Sequence, residues 1–193
     1  MHDLARATLR ARWVISFLEG LMAEIKKGRW TAQIEGDFVV FLIGARFDFF
    51  HLIRSLGDLG GRRGMNHMLD YLLQHPDKGL LGYEMGLKTI VQYWRSFDHL
   101  EAFAKNKEDP HLDAWRSYWR RVGKSGRTGI WHETYLVRAG EYEAVYDNMP
   151  PRGLGKAATL VPIAGDSTAR NRIRVAIARS EPGLLSARRS PGV

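Results

Sequence analysis

Two histidines occupy positions where an imidazole can do chemistry. His111 follows Pro110 at the start of a predicted helix, and His132 lies in an apolar stretch that predicts a strand. Imidazole is a frequent general acid–base group and a good metal ligand. On the strand, His132 alternates with Ile130 and Thr134 and so shares their face. His132 can either line a pocket or be buried and hydrogen-bonded to a neighbour. His111 can either bind a metal or simply lie at the surface.

Further polar and aromatic side chains accompany each histidine. Glu133 and Tyr135 are the candidates to assist His132, although they point to the other face of the strand. Trp115 and Tyr118 follow His111 at i+4 and i+7, so they share one helix face with it. Large aromatic residues are more often part of a core than of a binding site, and packing is therefore the alternative for both rings.

A third group of candidates, Gln92, Trp94 and Arg95, lies on or directly after a predicted strand. Gln92 can face a pocket or a subunit interface, and Trp94 can line a pocket or fill the core. Arg95 can hold an acidic substrate or form a surface ion pair. We take the three as candidate substrate contacts.

Several other kinds of site are excluded by the sequence. The chain has no cysteine, which excludes disulfides, thiolate metal sites and a cysteine nucleophile. Residues 123–125 read Gly-Lys-Ser, but Tyr118 stands where a phosphate-binding loop needs its first glycine. His67, His75 and His99 have no spacing typical of a compact metal site. There is no nucleophile elbow around a serine.

The basic charge of the chain is concentrated at its C-terminal end. The net charge is +8, and residues 151–193 contain eight arginines and lysines against two acidic residues. No aromatic residues are interleaved with these arginines, so we interpret the segment as a solvated tail and expect no nucleic-acid partner. No apolar run is long enough to span a membrane or form a signal peptide, and we expect a cytoplasmic protein without a membrane partner.

The order of predicted elements indicates the fold class. Strands are predicted at 37–44, 80–87, 89–95, 129–137 and 141–146, with helices near 49–73, after Ser96 and at 111–122. This is the β-α-β-β-α-β order of a ferredoxin-like unit in the α+β class, with an antiparallel sheet and helices on one face. The first strand is apolar on both faces, so its second face needs a cover, and a homodimer in the form of a dimeric α/β barrel provides one.

Three segments are expected along the chain. Residues 1–21 form an N-terminal extension with apolar residues at helical spacing, and residues 22–162 form the domain. Residues 163–193 form a basic, loosely ordered tail.

Four stretches resemble a bacterial and fungal family called monooxygenase-like, after a fumagillin-pathway monooxygenase of the antibiotic-biosynthesis type. They are residues 28–44 (GRWTAQIEGDFVVFLIG), 91–97 (VQYWRSF), 129–137 (GIWHETYLV) and 146–150 (YDNMP). The resemblance extends over about residues 22–162. It implies the dimeric α+β barrel and an oxidation of a small organic molecule.

A more distant resemblance concerns the haem-containing aldoxime dehydratases, which share this barrel. The segments Pro110-His111-Leu112 and Trp131-His132-Glu133 are similar to their late region, with the same separation of twenty-one positions between the histidines. The resemblance implies haem b with His111 as proximal iron ligand and His132 as distal acid–base group. Trp115 and Tyr118 would then line the porphyrin edge.

Three functions follow as hypotheses. The first is a monooxygenase-like enzyme without a cofactor, which holds an apolar substrate in a pocket lined by aromatic residues and uses His132 as base. The second is a haem-dependent lyase, and the third is a ligand-binding barrel without catalysis.

Overall fold

The computed structural model describes residues 24–48, 50–60, 64–86, 89–123, 126–165 and 168–173. The extension 1–21, with its predicted helix, and most of the tail lie outside the described residues. The domain boundaries at 22 and 162 therefore stay predictions. No helix in the described ranges is long and apolar enough to cross a membrane.

The described residues contain seven strands, four α-helices that lie wholly within the described ranges and a helical segment at 169–173, with short 3-10 turns at Pro76–Lys78 and Gly153–Lys156. In chain order the elements are β1 (Lys26–Gln33), β2 (Phe38–Arg46), α1 (Leu52–Asp58), α2 (Met65–Gln74), β3 (Leu80–Met85), β4 (Thr89–Trp94), α3 (Phe97–Lys105), α4 (Pro110–Val122), β5 (Gly129–Val137), β6 (Tyr146–Met149) and β7 (Thr159–Pro162).

The main sheet has four antiparallel strands in the order β3-β4-β2-β5. Its elements follow one another as β2, α1 and α2, β3, β4, α3 and α4, β5, which confirms the predicted β-α-β-β-α-β order and the α+β class. β2 is central, whereas β5 is an edge strand paired from Phe38↔Val137 to Arg46↔Gly129. The β2 run is apolar because its first half is buried on both faces.

One face of this sheet is covered by the helices. Val39 and Trp94 project from β2 and β4 into a core with Leu69, Leu72 and Phe103. The helix α2 places its apolar residues on one side, as the amphipathic spacing predicts. The helix α3 begins as predicted, because the Ser96 side chain accepts a hydrogen bond from the His99 backbone N–H.

Among the described residues, the other face is covered at one end by a second sheet. This sheet has the order β6-β1-β7, and Ala32, Phe38, Tyr146 and Leu154 form a second core beneath it. The strand predicted at 141–146 is wrong: residues 141–145 form a loop, and the strand β6 begins at Tyr146. A side chain and not strand pairing holds this loop in place, because the Tyr142 hydroxyl accepts a 2.8 Å hydrogen bond from the Ile34 backbone N–H.

Candidate active site

The start of α4 positions His111. Pro110 occupies the first turn, where its missing N–H costs nothing, and Asp109 precedes it. The buried Asp109 carboxylate accepts hydrogen bonds from the Tyr71 hydroxyl at 2.6 Å and from Lys78 at 3.1 Å. The first turn of α4 is therefore tied to α2 and to the turn before β3.

The His111 imidazole is half-buried and has a fixed tautomer. Its Nδ1 lies 3.0 Å from the Ala104 carbonyl oxygen, and a carbonyl only accepts, so Nδ1 donates the proton. Nε2 therefore carries the lone pair. Burial lowers the pKa of His111 against the opposing effect of the Ala104 bond, and nearby His132 lowers this pKa further. His111 is thus a neutral imidazole at neutral pH.

His132 extends from the edge strand toward the same side of the sheet. It pairs with Ile43, while Phe41 on the same face of β2 pairs with Thr134. The rings of His132 and Phe41 are 5.5 Å apart, and Phe41 packs against the helix-side core. The two histidines are close enough for the charge of His132 to affect His111. His132 itself is exposed, so neither the buried position nor the pocket position expected for it is found. We call the open surface between α4 and β5 that carries both side chains the histidine cleft.

The aromatic residues of α4 form a cluster that continues from His111. Trp115 and Tyr118 stack with centroids 5.7 Å apart, and Trp119 meets both rings edge-on. Tyr118 is buried, and its hydroxyl donates to the Thr128 carbonyl oxygen at 3.0 Å. Trp115 stays 38% exposed, so its ring is accessible to a ligand whereas the Tyr118 hydroxyl is already used.

Glu133 and Tyr135 lie on the face of β5 opposite His132. The Tyr135 hydroxyl donates to the Glu133 carboxylate at 2.7 Å, and this bond raises the pKa of Tyr135. Both side chains are exposed. The structure therefore does not bring them together with His132, and their catalytic role stays a prediction that needs a substrate on that face.

The three substrate candidates separate into core and surface. Trp94 is 1% exposed and donates to the Gln92 side-chain oxygen at 2.9 Å, so both belong to the helix-side core. Arg95 is exposed and donates to the Glu35 carbonyl oxygen at 3.2 Å. Trp94 reaches His111 only through Phe103, whose ring lies 5.8 Å from each. Substrate contact by these three also stays a prediction.

Two contributors to the cleft have weak or absent sequence signals. The Ala104 carbonyl, which fixes the His111 tautomer, is a backbone atom and has no signature in the side-chain sequence. Phe41 could have been found, because strand alternation in β2 places it beside the partner of His132. Within the described residues no group of three or more metal-ligating side chains occurs.

Comparison with known proteins assigns the family. The model of the Monooxygenase af470-like family matches residues 38–154, which is more than half of the chain and includes both histidines. The chain belongs to this family. Monooxygenase af470 of Aspergillus fumigatus is 27% identical over 191 residues, covering 86% of this chain and 66% of that protein.

Solved structures similar to this family member are aldoxime dehydratases. A co-crystal of one with butyraldoxime has a TM-score of 0.52 and 18% identity, covering 71% of this chain and 41% of that one. A second aldoxime dehydratase has a TM-score of 0.50 and 19% identity, covering 72% and 43%. These identities show a shared fold. The chain spans just under two thirds of the monooxygenase and less than half of each dehydratase.

Proposed function

We propose that this family member is a small-molecule enzyme that oxidises an apolar organic substrate in the histidine cleft. The observation that carries the proposal is that His111 of α4 and His132 of β5 lie on the same side of the main sheet, near enough to interact electrostatically. Each has a phenylalanine ring beside it, Phe103 and Phe41 respectively. Two imidazoles next to apolar rings can move a proton while an apolar substrate is held. The family assignment supports oxidation as the reaction class.

In the cofactor-independent form His132 is the base. It takes a proton from an activated CH₂ group of the substrate, and the carbanion transfers electrons to O₂. One oxygen atom becomes the product carbonyl and the other leaves as water, so the CH₂ group supplies all four electrons. The neutral His111 offers Nε2 as a hydrogen-bond acceptor in the same space, since Nδ1 is held by the Ala104 carbonyl.

A haem-dependent lyase is the second candidate, and the residues present fit haem. His111 is neutral, and its Nδ1 donates to a backbone carbonyl, so Nε2 would be the atom that binds haem iron. Trp115 would contact the porphyrin along α4, with the buried Tyr118 ring stacked behind it. Haem bound there would supply an iron centre for redox or lyase chemistry. His132 would move the protons when an aldoxime, the compound class of the structural relatives, loses water.

The absorption spectrum after addition of hemin separates the two forms. We expect a Soret band that His111→Ala shifts or removes if haem is the cofactor, while the matched control His67→Ala, exposed on α2, leaves it unchanged. Butyraldoxime is then the first substrate to test. A spectrum equal to that of free hemin in all three proteins rejects the haem form.

Oxygen uptake with anthrone tests the cofactor-independent form. Its CH₂ group is acidified by two aryl rings and a carbonyl, as this mechanism requires. We expect uptake that His132→Ala abolishes and His67→Ala preserves. Absence of turnover with both probes, together with no haem band, contradicts the enzyme proposal and leaves a ligand-binding barrel.

We further propose a cytoplasmic homodimer, in which a second copy covers the sheet face that carries Trp131 and Tyr135. These two rings lie on the same face of β5, on either side of Glu133, and are 43% and 50% exposed, so they offer apolar area that a partner can cover. The matched dehydratases have more than twice the length of the shared fold, which leaves room for a second unit. Tyr135→Arg should shift light scattering from dimer to monomer, whereas Leu73→Arg, at an exposed position on α2, should not. A wild-type monomer contradicts the dimer.

A further inference from the structure

A second cavity lies on the sheet face away from the helices. It has a volume of about 430 Å³ and is open at one side. This size is within the range of small-molecule sites in proteins. The main sheet, the loop before β6 and the 3-10 turn at Gly153–Lys156 form its walls, with Phe38, Val40, Tyr93, Val137, Glu141, Tyr142, Glu143, Ala144, Tyr146, Arg152, Gly153 and Leu154 as its lining.

The cavity is separate from the histidine cleft because the sheet lies between them. Val40 of β2 pairs with Tyr93 and Tyr135, whereas the neighbouring residue Phe41 pairs with Gln92 and Thr134. Successive strand residues point to opposite faces, so Val40 and Tyr93 line the cavity while Phe41 faces the cleft. The two sites can therefore be occupied and tested independently.

The walls of the cavity are mainly aromatic. Phe38 and Tyr142 meet edge to face with centroids 5.2 Å apart, and Tyr93 and Tyr146 add two further rings. Such walls favour a flat apolar ligand, which can stack on one ring while meeting the edge of another.

The charges around the cavity balance. Glu84 forms ion pairs with Arg152 at 2.7 Å and with Lys156 at 2.8 Å, and Glu143 pairs with Arg172. Glu141 has no ion-pair partner among the described residues, so its negative charge offsets the second cation on Glu84. The six charges sum to zero, and the carboxylates of Glu141 and Glu143 both line the cavity, so a neutral ligand is favoured over an anion.

Two tyrosine hydroxyls supply neutral polar groups in the cavity. Burial raises the pKa of Tyr93 to about 12, so its hydroxyl keeps the proton. The Tyr146 hydroxyl accepts a 2.8 Å hydrogen bond from the Gly155 N–H. A hydroxyl that accepts from the backbone still has its own proton to donate. A side chain at Gly153 would come within 3.2 Å of the Tyr93 oxygen, and glycine keeps that oxygen accessible.

We propose that this cavity binds a neutral, mostly apolar aromatic molecule whose hydroxyl or carbonyl oxygen accepts a hydrogen bond from Tyr93. Titration calorimetry with 2-naphthol tests the proposal, with naphthalene-2-sulfonate as the charged comparison. We expect the neutral probe to bind at least ten-fold more tightly. Equal binding of both probes, or binding of neither, overturns the proposal.

Filling the cavity locates the binding. Ala144→Phe places a ring in the space, and Ala102→Phe is the matched control at an exposed position of α3 on the other side of the sheet. We expect the filled variant to bind 2-naphthol at least ten-fold more weakly and the control to bind it as the wild type does. Unchanged binding by a folded Ala144→Phe overturns the proposal.

Tyr93→Phe removes one hydroxyl from the cavity. This variant tests the proposal if Ala144→Phe fails to fold. We expect about five-fold weaker 2-naphthol binding and unchanged binding of naphthalene, which has no oxygen. Equal effects on the two ligands contradict the hydrogen bond. The double variant with alanine at His111 and His132 should bind 2-naphthol normally, and loss of binding there would assign the probe to the histidine cleft and overturn the second site.

Discussion

Removal of the Asp109 carboxylate should destabilise the helix start that carries His111. Its side chain is 1% exposed and joins the Tyr71 hydroxyl, the Lys78 ammonium and the Asn106 amide at 2.6–3.1 Å. Loss of this buried acceptor removes three charge-assisted hydrogen bonds from partly buried groups, which costs about 3 kcal/mol. We expect Asp109→Ala to lower the free energy of unfolding by about that amount.

Urea unfolding of matched variants measures this effect. Asp113→Ala lies at an exposed position in the first turn of the same helix and should cost less than about 1 kcal/mol. A double-mutant cycle with Lys78→Met should show a coupling of about 1–2 kcal/mol. Equal losses in Asp109→Ala and Asp113→Ala, or zero coupling, would refute the reasoning.

The dependence on pH gives an independent check. Burial alone raises the pKa of Asp109, but the hydrogen bonds from Tyr71 and Lys78 outweigh it and hold this pKa below its usual value. The unfolded chain therefore takes up the proton first on acidification. The stabilisation is present above about pH 4 and is lost as the pH falls below it. Asp109→Ala should lack this part of the acid dependence.

Three further predictions concern neighbouring positions. Because burial lowers the pKa of His111, the wild type should lose stability as the pH falls below about 6.5, and His111→Gln should lose less in urea unfolding at pH 7.5 and 5.5. Gly79→Ala should lower the free energy of unfolding more than Gly36→Ala in the same assay. Both glycines have positive φ, but only a Cβ at position 79 would meet the His99 ring, at 2.5 Å. Equal losses of stability contradict this. Phe103→Ala should lower the free energy of unfolding by about 3 kcal/mol and weaken hemin binding, and unchanged binding would separate this ring from the cleft.

The elements predicted correctly are those with strong local signals. β2 has an uninterrupted apolar run, α3 begins after a capping serine, and α4 begins at Pro110. β1 has no such signal: its sequence KKGRWTAQ is mixed, and it becomes a strand only through β6 and β7, more than a hundred positions away. Long-range pairing of this kind leaves no pattern in a single segment.

The candidate site was predictable to the same extent. Strand alternation already placed His132 on one face and Glu133 and Tyr135 on the other, as the structure has them. The meeting of His111 with His132 depends on how α4 packs over the sheet, which no local spacing encodes. The second cavity was not predictable either, because its tyrosines come from three separate elements. Tyr93 lies on β4, Tyr142 in the loop between β5 and β6, and Tyr146 on β6.

The position of His132 on an edge strand has a dynamic consequence. In the described part of the chain β5 pairs with β2 alone. Every second residue of β5 points its backbone amide away from β2, and these amides have no strand partner there. These amides should exchange hydrogen for deuterium far faster than those of β2. Detachment of one strand would carry His132 away from His111 while the central sheet stays intact, so the arrangement proposed for catalysis can be lost at a free energy below that of global unfolding.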